Sequence, residues 1–155
     1  MLDCTRYTVA ELIPHSPPMV LLDRILHYDS LTLSAELTIE VGCRFYDTAI
    51  NGVPAWVGIE YMAQAISALG GLRAIEKNES IKIGFLLGTR KMLLQHKVLR
   101  AGHCYQVHVR QLFWDDSGLA HFDCEIRDGQ ELCVTAKVTV FETDDVTKAV
   151  EVNGG

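Results

Sequence analysis

The sequence predicts an α+β domain, an antiparallel sheet curled around one long buried helix. Three observations predict it. First, between Thr48 and Leu72 the only formal charge is Glu60, and residues 54–74 have the length of a helix. The small residues of that run, Gly58, Ala63, Ala65, Ser67, Ala68 and Gly70 among them, spread around the axis instead of forming a stripe. A helix apolar nearly all round is enclosed by protein or lipid, because a half-exposed one shows a polar face. Second, residues 31–41 alternate, with Leu31, Leu33, Ala35, Leu37, Ile39 and Val41 on one side and polar residues between them. That is a strand with one wet face. Third, residues 105–114, 119–127 and 131–141 are strand-like and are separated by Asp115-Asp116-Ser117-Gly118 and Asp128-Gly129, both hairpin signals.

The remaining elements follow in order. Thr8 and Glu11 form a capping-box pair for a short helix that must stop before Pro14. Pro14, Pro17 and Pro18 hold residues 13–19 extended and leave His15 on a stiff segment. Residues 19–27 read as a first strand carrying Asp23 and Arg24. Residues 42–53 have no period and lead through Asn51-Gly52 into the helix, where Pro54 suits the first turn. A polar break at 76–80 precedes a strand over 82–94, around Gly84 and Gly88. Residues 142–155 are acidic, end in Gly-Gly and read as a frayed tail, so the expected domain is 1–141.

Composition narrows the function classes. A chain of 155 residues is one domain with room for a real core. A net charge of −6 argues against nucleic acid as a partner. A central Glu, Gln64, paired glycines and no basic flank argue against a membrane span for the helix. The five cysteines are odd in number and scattered, the pattern of reduced thiols, and the N-terminus lacks the apolar core of a signal peptide; both point to the cytoplasm. His121 and Cys124 fall on opposite strand faces, so no metal site is expected, and no glycine-rich phosphate loop is present. The other histidines fall in connections or on polar strand faces. A sheet of this size cannot cover such a helix completely, which predicts a second subunit against the remainder.

Glu60 needs a reason, since a lone carboxylate inside an apolar helix is costly. A buried arginine or backbone N–H could satisfy it, its end of the helix could be solvated, or it could do chemistry.

Two motifs decide which family the chain resembles. Ile13-Pro-His-Ser-Pro-Pro-Met-Val-Leu-Leu-Asp-Arg24 is similar to the Leu-Pro-His-x-x-Pro-x-x-Leu-Val-Asp-Arg pattern of the hotdog-fold 3-hydroxyacyl-acyl-carrier-protein dehydratases. Pro54-Ala55, then Glu60-Tyr-Met-Ala-Gln64, match the opening of that family's central helix. The string Ala-Trp-Val-Gly-Ile-Glu-Tyr-Met-Ala-Gln resembles the aryl-polyene branch, whose members work beside a type II polyketide synthase. The stretch from Phe85 through Gly88, Arg90, Lys91 and Met92 to Ala101-Gly102-His103 extends the likeness, which covers roughly residues 8–141. The family's Gly-His-Phe-Pro before the helix is absent: its histidine position holds Tyr46, in Arg44-Phe-Tyr-Asp47.

The resemblance implies a dimeric hotdog protein that removes water from 3-hydroxyacyl or polyene thioesters on acyl carrier protein, with no cofactor. Glu60 would face the leaving hydroxyl with a pKa raised by burial, and Gln64 would orient it from one turn on. Pro54, Ala55 and Trp56 would line the substrate, the Ala55 N–H pointing at the thioester oxygen. The base is open among His15, Tyr46 and a histidine of a second hotdog dehydratase, because the family's two catalytic residues come from opposite subunits. Residues 80–114 contain no acid, and Arg90, Lys91, Lys97 and Arg100 there either form a solvated face or dock the acidic carrier protein with its phosphopantetheine arm. A hotdog thioesterase and a non-catalytic subunit are the alternatives.

Overall fold

The computed structural model describes residues 2–13, 19–80 and 83–143. A 3₁₀ turn, Cys4–Arg6, leads into α1 (Val9–Leu12), whose capping box forms as expected. The Thr8 hydroxyl accepts from the Glu11 N–H at 3.3 Å, and the Thr8 N–H donates to the Glu11 carboxylate at 3.0 Å. Strands β1 (Arg24–Tyr28) and β2 (Thr32–Thr38) follow, then β3 (Gly52–Pro54) and a 3₁₀ turn, Ala55–Val57. The long helix is α2 (Gly58–Glu76). After it come β4 (Ile83–Leu94), β5 (Val98–Arg100), β6 (Cys104–Trp114), β7 (Leu119–Asp128) and β8 (Glu131–Thr143).

Six strands form one antiparallel sheet in the order β1-β2-β6-β7-β8-β4. Its inner face is the alternation read from the sequence: Leu33, Ala35 and Leu37 of β2, Val107 and Val109 of β6, Phe122, Cys124 and Ile126 of β7, and Val134, Ala136 and Val138 of β8 are all buried. Burial raises the Cys124 thiol above its ordinary pKa, so it packs here as a small hydrophobe. α2 lies against this face and buries Tyr61, Met62, Ala65, Ile66, Ala68, Leu69 and Leu72. This is the hotdog arrangement, a sheet wrapped around one helix.

α1 covers another side of α2. A Cβ built on Gly71 would sit 2.2 Å from the Leu12 carbonyl oxygen, so only glycine lets the two backbones approach this closely. Apart from Ile59 and the last two residues, Ile75 and Glu76, the residues of α2 that are not buried are Glu60, Ala63, Ser67, Gly70 and Arg73, one stripe at helical spacing.

Four expectations are corrected. The helix starts at Gly58 instead of residue 54, because Gly52–Pro54 pairs with Val98–Arg100 as a two-stranded ribbon. Three residues containing Gly and Pro carry no alternation, so nothing local marks that strand. The first strand begins at Arg24, since residues 19–21 bond to a helix side chain instead of to a strand. Leu31 and Val41 stand outside β2 and are 52% and 75% exposed. β8 runs to Thr143, two residues past the expected strand end at 141, and residues 144–155 lie outside the described residues.

Strand β4 is an edge, bonded to β8 on one side, and it exposes Leu86, Leu87, Leu93 and Leu94. Its register shifts twice, between Leu86 and Gly88 and between Arg90 and Leu93.

Candidate active site

The site is built where the ribbon feeds the helix. The β3–β5 ladder continues one residue past Pro54: the Ala55 N–H donates to the Lys97 carbonyl at 2.9 Å. That bond fixes the entry angle of α2. It also changes the expected role of Ala55, whose N–H already has a partner within the chain. Ala55 is fully buried, and Pro54 has no N–H to offer. The next residue, Trp56, lies in the first turn, where N–H groups have no carbonyl one turn back. Its side chain is 60% exposed. Gly58 brings the helix start close to β7, since a Cβ there would meet Ile126 Cδ1 at 2.8 Å.

Glu60 sits in the first turn of α2, where the helix dipole favours a negative charge. In the single chain it is exposed, on the uncovered stripe, so the expected burial is not provided by this chain alone. It opens onto a cavity of about 130 Å³ lined also by Ala63, Ser67, Leu86, Val140 and Glu142. One wall of that cavity, Leu86, belongs to the β4 edge.

Gln64 lines the same cavity but faces elsewhere with its polar atoms. It is buried, its Nε2 donates to the Met19 carbonyl at 2.6 Å, and its Oε1 accepts from the Leu21 N–H at 2.8 Å. Both ends of the amide are therefore used on the backbone that follows the Pro-rich segment, instead of on Glu60. His15 falls in residues 14–18, outside the described residues.

Tyr46 is half-buried in the loop before β3. Its hydroxyl donates to the Asn51 side-chain oxygen at 2.6 Å, and Asn51 itself sits at φ +50°. The Asn51 carbonyl accepts from the Ala101 N–H at 3.1 Å. The loop carrying Tyr46 is thus tied to both strands of the ribbon.

Two histidine–carboxylate contacts hold the ribbon's far side. His103 Nδ1 lies 2.6 Å from Asp128, and His96 Nε2 lies 2.8 Å from Glu131. They bracket β5 and reach the same β7–β8 turn, while the Tyr105 hydroxyl accepts from the Arg100 N–H at 2.6 Å. The sequence shows these histidines only as parts of a basic connection. Their partners lie about 25 to 35 residues away, so no local signal could have paired them.

The four basic residues expected to act together separate into two groups. Lys97 and Arg100 are exposed on and beside β5, next to the helix start. Arg90 and Lys91 lie on β4, where Arg90 is in register with Lys137 of β8 and Lys91 lines a cavity on the outer face of the sheet. Among the described residues, no group of three or more His, Cys, Asp or Glu comes together that could hold a metal ion, and no helix is long and apolar enough to cross a membrane.

Comparison with known proteins agrees with this architecture. Residues 7–151 match the family model described as ApeP-like, ApeP dehydratase. A 3-hydroxyacyl-[acyl-carrier-protein] dehydratase FabZ of Chlamydia trachomatis is 32% identical over 95 residues, covering 58% of this chain and 61% of that relative. The match thus spans less than two thirds of the curated relative's length. Among solved structures, a chain of the dehydratase heterocomplex ApeI:P from Xenorhabdus doucetiae superposes with a TM-score of 0.87 at 24% identity, covering 95% of this chain and 98% of that one. A hypothetical thioesterase from Streptococcus pneumoniae, solved with coenzyme A, gives a TM-score of 0.58 at 12% identity, covering 77% and 84%. These structures share the hotdog fold. The family match extends over nearly the whole chain, and the chain belongs to the ApeP dehydratase family.

Proposed function

We propose that this chain is one half of a dehydratase that removes water from 3-hydroxyacyl or polyene thioesters carried by acyl carrier protein, with a second hotdog dehydratase as the other half. The observation that carries the reading is the position of Glu60. It is the one carboxylate on the uncovered stripe of α2, in its N-terminal turn, and the cavity beside it is walled by the β4 edge, which pairs only with β8 among the described residues. A partner sheet added to β4 would close that cavity and shut Glu60 off from water, the setting in which a carboxylic acid can hand a proton to a leaving hydroxyl.

The elimination then runs as follows. A base removes the proton from Cα, the freed electron pair forms the Cα–Cβ double bond, and the Cβ hydroxyl leaves as water with the proton of Glu60. Tyr46 is ill suited as the base, since its hydroxyl already donates to the Asn51 side-chain oxygen. We assign the base to the partner chain. The enolate oxygen needs a donor, and with Ala55 bonded to Lys97 that role passes to the Trp56 N–H. Carrier docking rests on Lys97 and Arg100, which flank the helix start, and five free thiols fit a reducing compartment, the cytoplasm.

The test is mass spectrometry of a 3-hydroxyacyl carrier protein incubated with this chain, with the second dehydratase subunit, and with both. Loss of one water in the mixture, abolished by Glu60→Gln, is expected. Full activity of the mixture without Glu60 would make this chain a scaffold and overturn the assignment. Release of the free carrier thiol would identify a thioesterase instead.

A further inference from the structure

A cavity of about 680 Å³ lies on the face of the sheet turned away from α2 and takes no part in the chemistry above. Its floor is formed by the polar residues that alternate with the core. One row across the sheet is Ser34, His108, Glu125 and Thr135, paired strand to strand. The next row is Thr32, Arg110, Asp123 and Lys137. A wet sheet face is normally open and flat. Here the β4 bulge between Arg90 and Leu93 raises a wall over it, with Lys91 held at φ +52° and Leu93 57% exposed at the rim.

The charges in this groove do not cancel. Asp123 receives both Lys137, at 2.6 Å, and Arg110, at 3.5 Å. Glu125 is held by Arg127 at 2.8 Å. Lys91 lines the groove with no acidic partner among the described residues, and Arg90 stands in register with Lys137. In a chain whose net charge is −6, this is a local positive excess assembled from three strands. The His108 ring sits in the middle. Its Nδ1 is 2.7 Å from the Ser34 hydroxyl, and burial holds its pKa below the ordinary histidine value, so it stays a neutral hydrogen-bonding group at pH 7.

We propose that this groove binds a small phosphate-bearing organic molecule. Lys91, Arg110 and Lys137 line the one groove from β4, β6 and β8, three cations against the carboxylates of Asp123 and Glu125, and the excess favours an anionic phosphate group. Thr135 adds a hydroxyl beside them, while the Thr32 hydroxyl on the same floor is already given to Asp29. The cavity is far larger than one phosphate and falls within the usual range of ~300–1,000 Å³ for small-molecule sites, so the organic body lies along Leu93 and the aliphatic stems of the lysines. The proposal is independent of the dehydratase reading, because it uses the other face of the sheet.

Inorganic pyrophosphate serves as the probe, titrated into the full chain by calorimetry with the histidine ring signals followed by NMR. Saturable binding that moves the His108 ring signals is expected. Lys91→Gly should weaken it at least about 10-fold, the loss of one charge-assisted contact. Glycine suits the left-handed backbone at this position, so the variant should melt no lower than the parent. Thr135→Val, isosteric on a strand, should weaken binding more mildly. Absence of saturable binding overturns the proposal. So does binding that survives Lys91→Gly but is lost in Lys97→Ala, which would place the anion beside the helix start. Tighter binding of citrate than of pyrophosphate would overturn the ligand class.

Discussion

The side-chain amide of Gln64 donates to the Met19 carbonyl at 2.6 Å and accepts from the Leu21 N–H at 2.8 Å. One buried side chain thereby ties the helix that carries Glu60 to the chain just after the Pro-rich segment. Gln64→Leu would fit the volume and strip both part-buried backbone groups of their partner, a loss of roughly 1–3 kcal/mol for each that water does not reach. We expect a loss of about 2 kcal/mol or more in chemical denaturation, with faster amide exchange at Leu21. An unchanged midpoint would show that water replaces the side chain there.

Two glycines of α2 test which close approaches matter. Gly71→Ala would drive a methyl group into the Leu12 carbonyl, a backbone atom that cannot swing aside. Destabilisation of at least about 2 kcal/mol, or detachment of α1, is the expected result. Gly58→Ala meets only the flexible tip of Ile126 at 2.8 Å and gains up to about 1 kcal/mol of helix propensity. Its melting temperature should fall far less than that of Gly71→Ala.

Acid stability should report on the β1–β2 turn. The Asp29 carboxylate accepts from the Thr32 hydroxyl at 2.7 Å and from the Leu31 and Thr32 N–H groups, both at 2.9 Å. Those bonds lower its pKa to about 2, the Thr32 hydroxyl contributing most. The folded value is below the ordinary ~3.9, so this stabilisation is complete above about pH 4 and is lost as the pH falls towards 2. Asp29→Asn keeps an acceptor but has no charge to titrate. Its melting temperature, measured against pH, should fall less steeply across that window than that of the parent.

Tyr46→Phe separates two roles for the family's missing histidine position. The substitution removes the bond to Asn51 in a partly exposed loop, at a cost of about 1 kcal/mol. With the base supplied by the partner chain, dehydration by the two-subunit mixture should stay within a few-fold of the parent. A fall of ~10²-fold or more, the scale of a general acid–base group, would return Tyr46 to the chemistry.

Much of the frame was legible because it rests on local rules. A run with a single formal charge and small residues on all sides had to be the enclosed helix, and the structure places α2 there. The α1 capping box and the β6–β7–β8 hairpins follow from pairs a few residues apart and from strict alternation. Glu60 stood out for the same reason, as a single charge in an apolar run, and the two motifs named its family.

What the sequence alone determined is therefore the elements, the buried faces and the place of the single charge in the apolar run. Tertiary structure decided what each polar group is bonded to. The β3–β5 ribbon takes up the Ala55 N–H, Gln64 turns to Met19 and Leu21, and His96 and His103 find carboxylates on the β7–β8 turn. Strand register parts Arg90 and Lys91 from Lys97 and Arg100, and gathers Lys91 with Arg110 and Lys137. Hydrophobic patterning is written residue by residue along a strand or helix. A hydrogen-bond partner or a charge cluster depends on which strands lie side by side, and that is settled only when the whole sheet closes around its helix.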